Sequence, residues 1–179
     1  MIKSANLQNF LAKIKQAEKG HGLDLSIGED LSLAVMNLIS LEEHMFFNGN
    51  KTGKTKYFDL LNEIMEMRKT FMKEIVKNPE AEMWCTSKHL LATSMRLFEV
   101  GTKYQTKGDS AKAHHYFNHA YRLYTLFWGL NLNLINPGQE VDITLDPAEK
   151  DTVIRSRNQG GLTGKLSQII AKILDCCRE

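Results

Sequence analysis

Apolar side chains recur with the period of an α-helix along nearly the whole chain, and few residues interrupt that period. The 179 residues include only three prolines, Pro79, Pro137 and Pro147, and each lies where a helical segment starts or stops. Because proline ends or kinks a helix, the long stretches between them can remain helical. The sequence therefore predicts an all-α fold, an antiparallel four-helix core of stacked helical hairpins with extra amphipathic helices at both ends.

Four long segments carry the predicted core, at about residues 29–47, 57–77, 82–105 and 110–132. Ser26 and Glu29 form a capping-box pattern before the first. That segment is apolar on nearly every side, so we expect it to be the buried centre of the bundle, wrapped by the other three. The second is expected to turn one row of side chains inward: Leu60, Leu61, Ile64, Met67, Phe71, Met72 and Ile75.

Both ends of the chain carry further amphipathic segments. Residues 6–19 place Leu7, Phe10, Leu11 and Ile14 on one stripe, and residues 164–177 do the same with Leu166, Ile169, Ile170 and Ile173. We divide the chain into a helical bundle domain, 1–136, and a C-terminal arm, 137–179, with a short helix, a Gly-rich linker and a final amphipathic helix. The two stripes are candidate surfaces for a protein partner or a second copy of the chain.

Composition and charge indicate which cellular compartment and which classes of partner we expect. Three cysteines and no secretory signal pattern favour a reducing compartment, and no apolar run approaches the length of a membrane span. We therefore expect a cytoplasmic protein without a membrane partner. The net charge of +2 argues against nucleic acid, since a single basic loop, Arg155 to Lys165, lacks interleaved aromatic residues.

One stretch has a spacing specific enough to compare with a known family. Within residues 94–127, small, aromatic and turn residues fall at signature offsets: Leu97, Val100, Gly101, Tyr104, Gly108, Ala113, Phe117 and Ala120. This stretch resembles a single tetratricopeptide-repeat hairpin. It departs at Leu97, where the family prefers tryptophan, and at Thr125, where it has proline. No second copy lies 34 residues away. The resemblance implies a role in protein–protein interaction.

Two polar groupings are candidate sites. Glu43 is flanked by apolar residues and should need a cation, with Arg68, Lys88 and His89 as the candidate partners in a buried polar cluster. Such a cluster is either an ion pair that fixes helix register or a pocket holding an acid with a shifted pKa. His115 and His119, one turn apart, could bind a metal if Glu43 and His44 completed the site. A surface histidine pair is the simpler interpretation.

Other motifs do not reach a catalytic pattern, so we assign no catalytic residue and no cofactor. Residues 49–55 resemble a phosphate-binding loop, but the two glycines are one residue too close, and a helix rather than a strand precedes them. Cys85 and His89 lie one turn apart without a third orienting group. The leading hypothesis is a non-enzymatic, self-associating helical adaptor. The alternative is a helical bundle that binds a metal or small ligand inside the bundle.

Overall fold

The computed structural model describes residues 25–76 and 81–134. This part of the chain forms four helices: α1 (Leu25–Thr52), α2 (Lys56–Ile75), α3 (Ala81–Thr106) and α4 (Ser110–Asn131). No strand occurs among these residues, which confirms the all-α class. The two amphipathic end segments, the 136/137 boundary and the C-terminal arm lie outside the described residues.

Glycine and aspartate set the turns between consecutive helices. Gly53 ends α1 with a φ of 66°, and its N–H donates to the carbonyl of Gly49 at 2.9 Å. Gly108, with a φ of 78°, lies in the turn between α3 and α4. Both values lie in the left-handed region that favours glycine. Asp109 then caps α4, because its side chain accepts a hydrogen bond from the Lys112 amide at 3.1 Å.

The helices pack as two sequential pairs, α1 on α2 and α3 on α4, and α1 also packs on α3. The main core collects side chains from all four helices and from the residues just after α2 and α4. Its members are Leu25, Val35, Met36, Ile39, Met72, Ile75, Val76, Leu91, Tyr124, Phe127, Trp128, Leu132 and Leu134. The core therefore draws on the first half of α1, the last turn of α2 and the second half of α4.

Hydrogen bonds satisfy polar groups inside this core. Ser32 Oγ and the Tyr124 hydroxyl lie 2.7 Å apart and join α1 to α4. The Asn131 side chain donates to Ser87 Oγ at 3.0 Å, and the Ser94 hydroxyl donates to the Ala120 carbonyl at 2.8 Å. A buried polar group without a hydrogen bond lowers the stability of the fold. The last two bonds therefore fix how α3 and α4 pack against each other.

Two expectations about α1 are wrong. It is not buried on all sides, because a set of large apolar side chains on it is exposed: Ile27, Leu33, Leu41, Phe46 and Phe47. The predicted loop after residue 47 is helical as far as Thr52, because Gly49 is held in the helix with the Phe58 ring packed against it.

The inner face of α2 is narrower than the spacing predicts. Ile64, Met72 and Ile75 are buried as expected, whereas Leu60 and Met67 are exposed. The apolar row of α2 is wider than the surface that α1 can cover, so its edge remains in contact with water.

Candidate functional site

The bundle is closed at one end and open at the other. Ile39 and Phe46 are seven residues apart on α1 and so lie on one face, yet Ile39 is 9% exposed and Phe46 is 49% exposed. On α3, Leu91 is fully buried while Phe98, seven residues later, is 48% exposed. The same faces that form the core are therefore uncovered two turns further on.

A cleft of about 430 Å³ lies between α1 and α3 at this point. Six residues line it: Ser40, Glu43, His44 and Phe47 from α1, and Arg96 and Glu99 from α3. We call Phe46, Phe47 and Phe98, together with this cleft, the open end. Phe47 lines the cleft, the Phe46 ring lies 5.4 Å from it, and the Phe98 ring lies 5.9 Å from Phe117 of α4.

Arg96 holds the charged group together. Its guanidinium donates from Nη2 to Glu43 and from Nη1 to Glu99 Oε2, the latter at 2.6 Å. Partial burial lowers the pKa of Arg96, but the hydrogen bonds and charges of Glu99 and Glu43 outweigh that effect and raise the pKa above its ordinary value. Two carboxylates share one guanidinium, so the cleft keeps an excess of negative charge.

A second ion pair lies between α1 and α2. Arg68 Nε donates to Glu42 Oε1 at 2.5 Å, and the two side chains are only 6% and 18% exposed. Arg68 Nη1 also lies 3.7 Å from the Met72 sulfur, a weak acceptor. The carboxylate of Glu42 therefore compensates the buried positive charge of Arg68.

The buried polar cluster predicted around Glu43 is wrong in its membership. The structure pairs Glu43 with Arg96 and pairs Arg68 with the neighbouring Glu42. Glu43 is also about half exposed rather than buried. Lys88 is half-buried and His89 exposed, and no hydrogen bond or ion pair joins either to Glu43. Sequence spacing alone cannot separate Glu42 from Glu43, because the choice of partner depends on how α1 crosses α2 and α3.

The four candidate metal ligands do not converge. Glu43 and His44 line the cleft, whereas His115 and His119 are exposed on α4 and do not. The two histidine rings lie 4.5 Å apart, and His119 Nδ1 donates to the His115 carbonyl at 2.8 Å. Over residues 25–76 and 81–134, no group of three or more His, Cys, Asp or Glu side chains is placed to hold a metal.

The two motifs without a catalytic pattern also have structural explanations. Residues 49–52 are helical, so the stretch resembling a phosphate-binding loop is the last turn of α1 and a short turn. Cys85 is an exposed free thiol and His89 is exposed on the same helix.

The α1–α2 pair and the α3–α4 pair resemble each other in sequence. A search for repeats at one fixed spacing does not find this similarity. Phe46, Gly49 and Lys51 recur as Phe98, Gly101 and Lys103, and Tyr57-Phe58-Asp59 recurs as Tyr116-Phe117-Asn118. In both pairs the glycine faces the phenylalanine of the next helix. A Cβ on Gly49 would lie 2.7 Å from the Phe58 ring, and one on Gly101 would lie 2.5 Å from the Phe117 ring.

The spacing explains why this similarity is hidden. Phe58 follows Gly49 by nine residues, and Phe117 follows Gly101 by sixteen. Two of the seven extra residues lie at the end of α3 and five at the start of α4, and in both pairs the glycine still faces the phenylalanine. Phe46 and Phe98 thus occupy equivalent positions, three residues before a glycine that packs on the neighbouring helix.

No helix in either described range, 25–76 or 81–134, is long and apolar enough to cross a membrane. Comparison of the chain with protein-family models, with curated proteins and with solved structures finds no match.

Proposed function

We propose that this chain is a non-enzymatic protein-interaction module whose open end binds an apolar peptide segment that carries a lysine or arginine. The observation that carries the proposal is the exposure of Phe46 and Phe98 on faces that are buried two turns earlier. Large aromatic side chains contribute much of the binding energy at protein interfaces, and exposed apolar patches commonly mark such interfaces.

Charge selects the chemistry of the peptide. Glu43 and Glu99 outnumber Arg96 in the cleft, so a cationic side chain entering it would meet net negative charge. The Phe47 ring lines the cleft and its centroid lies 5.4 Å from that of Phe46, so these two rings suit the apolar residues beside that cation. A cleft of about 430 Å³ is large enough to take a few side chains of a peptide.

The same proposal includes the arrangement of the helices as antiparallel hairpins. Two contacts between α1 and α2 support it, since Glu42 meets Arg68 whereas the later Gly49 meets the earlier Phe58. Opposite order of contact is the pattern of antiparallel neighbours. The second hairpin, with Phe117 against Gly101, is the one that resembles a tetratricopeptide repeat, a family whose hairpins serve protein–protein interaction.

A displayed library of random peptides, panned against the full-length protein, tests this function. We expect the selected peptides to share a lysine or arginine flanked by apolar residues. Their dissociation constants, measured by fluorescence anisotropy, should rise at least ~10-fold for Phe98→Ser and for Phe46→Ser, because each removes an aromatic contact. The variant Glu43→Gln/Glu99→Gln should weaken binding and reduce its dependence on salt.

Leu33→Ser is the matched control, because Leu33 is as exposed as these phenylalanines but is not among the cleft residues. It should bind like wild type. Selection of peptides without a basic residue, or equal loss of binding in Leu33→Ser and Phe98→Ser, would contradict the proposal.

A further inference from the structure

Four rings form a continuous row from α3 to the exposed surface of α4. Tyr104 of α3 stacks on Tyr116 of α4, with ring centroids 5.4 Å apart and planes 4° from parallel. His115 meets the Tyr116 ring edge-on at 5.4 Å, and the His119 ring lies 4.5 Å from that of His115. Both histidines are exposed, whereas the two tyrosines are half-buried. The tyrosines therefore support a pair of imidazoles that faces water.

We propose that His115 and His119 form a two-point binding site for a divalent transition-metal ion of the Cu²⁺ or Ni²⁺ type. The two residues are four apart on α4, so their side chains share one face of the helix. Imidazole nitrogen is a preferred ligand of these ions. Among residues 25–76 and 81–134 no third His, Cys, Asp or Glu side chain completes the site, so water would fill the remaining positions around the ion.

The hydrogen bonding of His119 prepares one of the two ligands. Its Nδ1 lies 2.8 Å from the carbonyl oxygen of His115, which can only accept a hydrogen bond. Nδ1 therefore carries the ring proton, and the lone pair of the neutral imidazole is on Nε2. Histidines that bind metals commonly donate their other ring N–H to a carbonyl in this way, which fixes the tautomer and the orientation of the ring. This bond supports a ligand role for His119 independently of the spacing of the pair.

The distance between the two rings selects the kind of metal. At the usual metal–nitrogen distance of ~2.0–2.1 Å, the centre of an imidazole ring lies ~3.2 Å from the ion. Two rings bound at a right angle then have centres ~4.5 Å apart, and two rings bound at the tetrahedral angle have centres ~5.2 Å apart. The observed separation of 4.5 Å matches the right angle. Square-planar and tetragonal complexes of Cu²⁺ and Ni²⁺ have this angle, whereas Zn²⁺ prefers a tetrahedron.

The charges around the pair fit the same class of ion. Between Ser110 and Asn131, α4 carries no aspartate or glutamate, so it offers no carboxylate to Mg²⁺ or Ca²⁺, which prefer oxygen ligands. Lys112 precedes His115 by one turn, but its ammonium group is paired with Asp109 at 3.1 Å. Asp109 therefore compensates the positive charge that would otherwise repel a metal cation.

Calorimetric titration of the full-length protein with Ni²⁺ tests this site. The protein is prepared without an affinity tag and with Cys85, Cys176 and Cys177 replaced by serine, because thiolates also bind transition metals. We expect one Ni²⁺ ion per chain, tighter binding of Cu²⁺, and no binding of Mg²⁺ or Ca²⁺. His115→Gln and His119→Gln should each weaken Ni²⁺ binding at least ~10-fold, because the second imidazole binds from the same helix at a high effective concentration.

His114→Gln is the matched control, because His114 is also exposed but lies ~100° around α4 from His115. This variant should bind Ni²⁺ like the cysteine-free parent. Without metal, all three variants should melt close to the Tm of the parent, since the replaced side chains are exposed. At a Ni²⁺ concentration just above the parent's dissociation constant, Tm should rise more in the parent and in His114→Gln than in the other two variants.

Three results would overturn the proposal. The parent could fail to bind Ni²⁺, or His114→Gln could weaken binding as much as His115→Gln does. Binding that is unchanged in both His115→Gln and His119→Gln would show an adventitious ion only, held at other residues. None of these results depends on peptide binding at the open end, because the cleft there is lined by residues of α1 and α3.

Discussion

The buried ion pair between Arg68 and Glu42 should contribute far more to stability than its exposed counterpart on the same helix. Glu42→Ala would leave the guanidinium of Arg68, whose side chain is 6% exposed, with only the Met72 sulfur nearby. Removing one partner of a buried pair typically costs ~3–5 kcal/mol, because the remaining charge is desolvated without compensation. For a chain of this length each kcal/mol lowers Tm by ~3 °C, so we expect a loss of ~10 °C.

The double variant Glu42→Ala/Arg68→Leu separates the charge from the packing. Because it removes the orphaned cation, it should recover most of the lost stability. Urea unfolding of wild type, Glu42→Ala, Arg68→Leu and the double variant gives the coupling free energy. The control is Glu66→Ala, which breaks the exposed pair between Glu66 and Lys69 and should leave Tm nearly unchanged. If Glu42→Ala is no more damaging than Glu66→Ala, then Arg68 is not buried and the packing of α1 on α2 is wrong.

Three further predictions concern α3 and α4. Gly101→Ala should lower the free energy of unfolding by ~1 kcal/mol despite alanine's better helix propensity, because its Cβ would overlap the Phe117 ring. Phe117→Ala should therefore cost less stability in the Gly101→Ala variant than in wild type, as measured by urea unfolding. Asp109→Ala should lower Tm by removing the cap of α4. Hydrogen bonds from Lys112 lower the pKa of Asp109, so its stabilisation is present above the unfolded pKa of ~4 and is lost as the pH falls through the folded pKa; Tm of the two proteins should converge in acid. Burial raises the pKa of Tyr124, so its contribution is present below the unfolded pKa of ~10 and is lost as the pH rises through the folded value; Tyr124→Phe should lose stability less steeply than wild type above pH ~10.

The helix boundaries follow closely from local signals, where those signals act within a few residues. Gly108 and Asp109 mark the turn and cap before α4, and the structure has both features at those residues. Local signals fail at Gly49. An Asn-Gly-Asn stretch is typical of a loop, but here the glycine remains helical because its missing side chain makes room for Phe58.

The candidate site could be predicted only in part. Apolar flanks predict a buried Glu43 that needs a cation, but the side chain is about half exposed, and its partner Arg96 is 53 residues away in the sequence, where only the crossing of α1 and α3 brings the two together. Spacing likewise gives Phe46 and Phe98 the same inward orientation as Ile39 and Leu91. Spacing does not show where the α1–α2 pair separates from the α3–α4 pair. The exposure of Phe46 and Phe98 is therefore known only from the packing of the helices.

The central claim, that the core faces of α1 and α3 are uncovered at the open end, is tested most directly by the reactivity of single cysteines. In a background with Cys85, Cys176 and Cys177 replaced by serine, a cysteine is placed at residue 39, 46, 91 or 98, and its labelling rate by a water-soluble maleimide is measured. We expect Phe46→Cys and Phe98→Cys to react at rates near those of the unfolded protein, and Ile39→Cys and Leu91→Cys to react at least ~100-fold more slowly. Protection of positions 46 and 98 equal to that of 39 and 91 would show a bundle closed along its whole length, with no open end for a partner to enter.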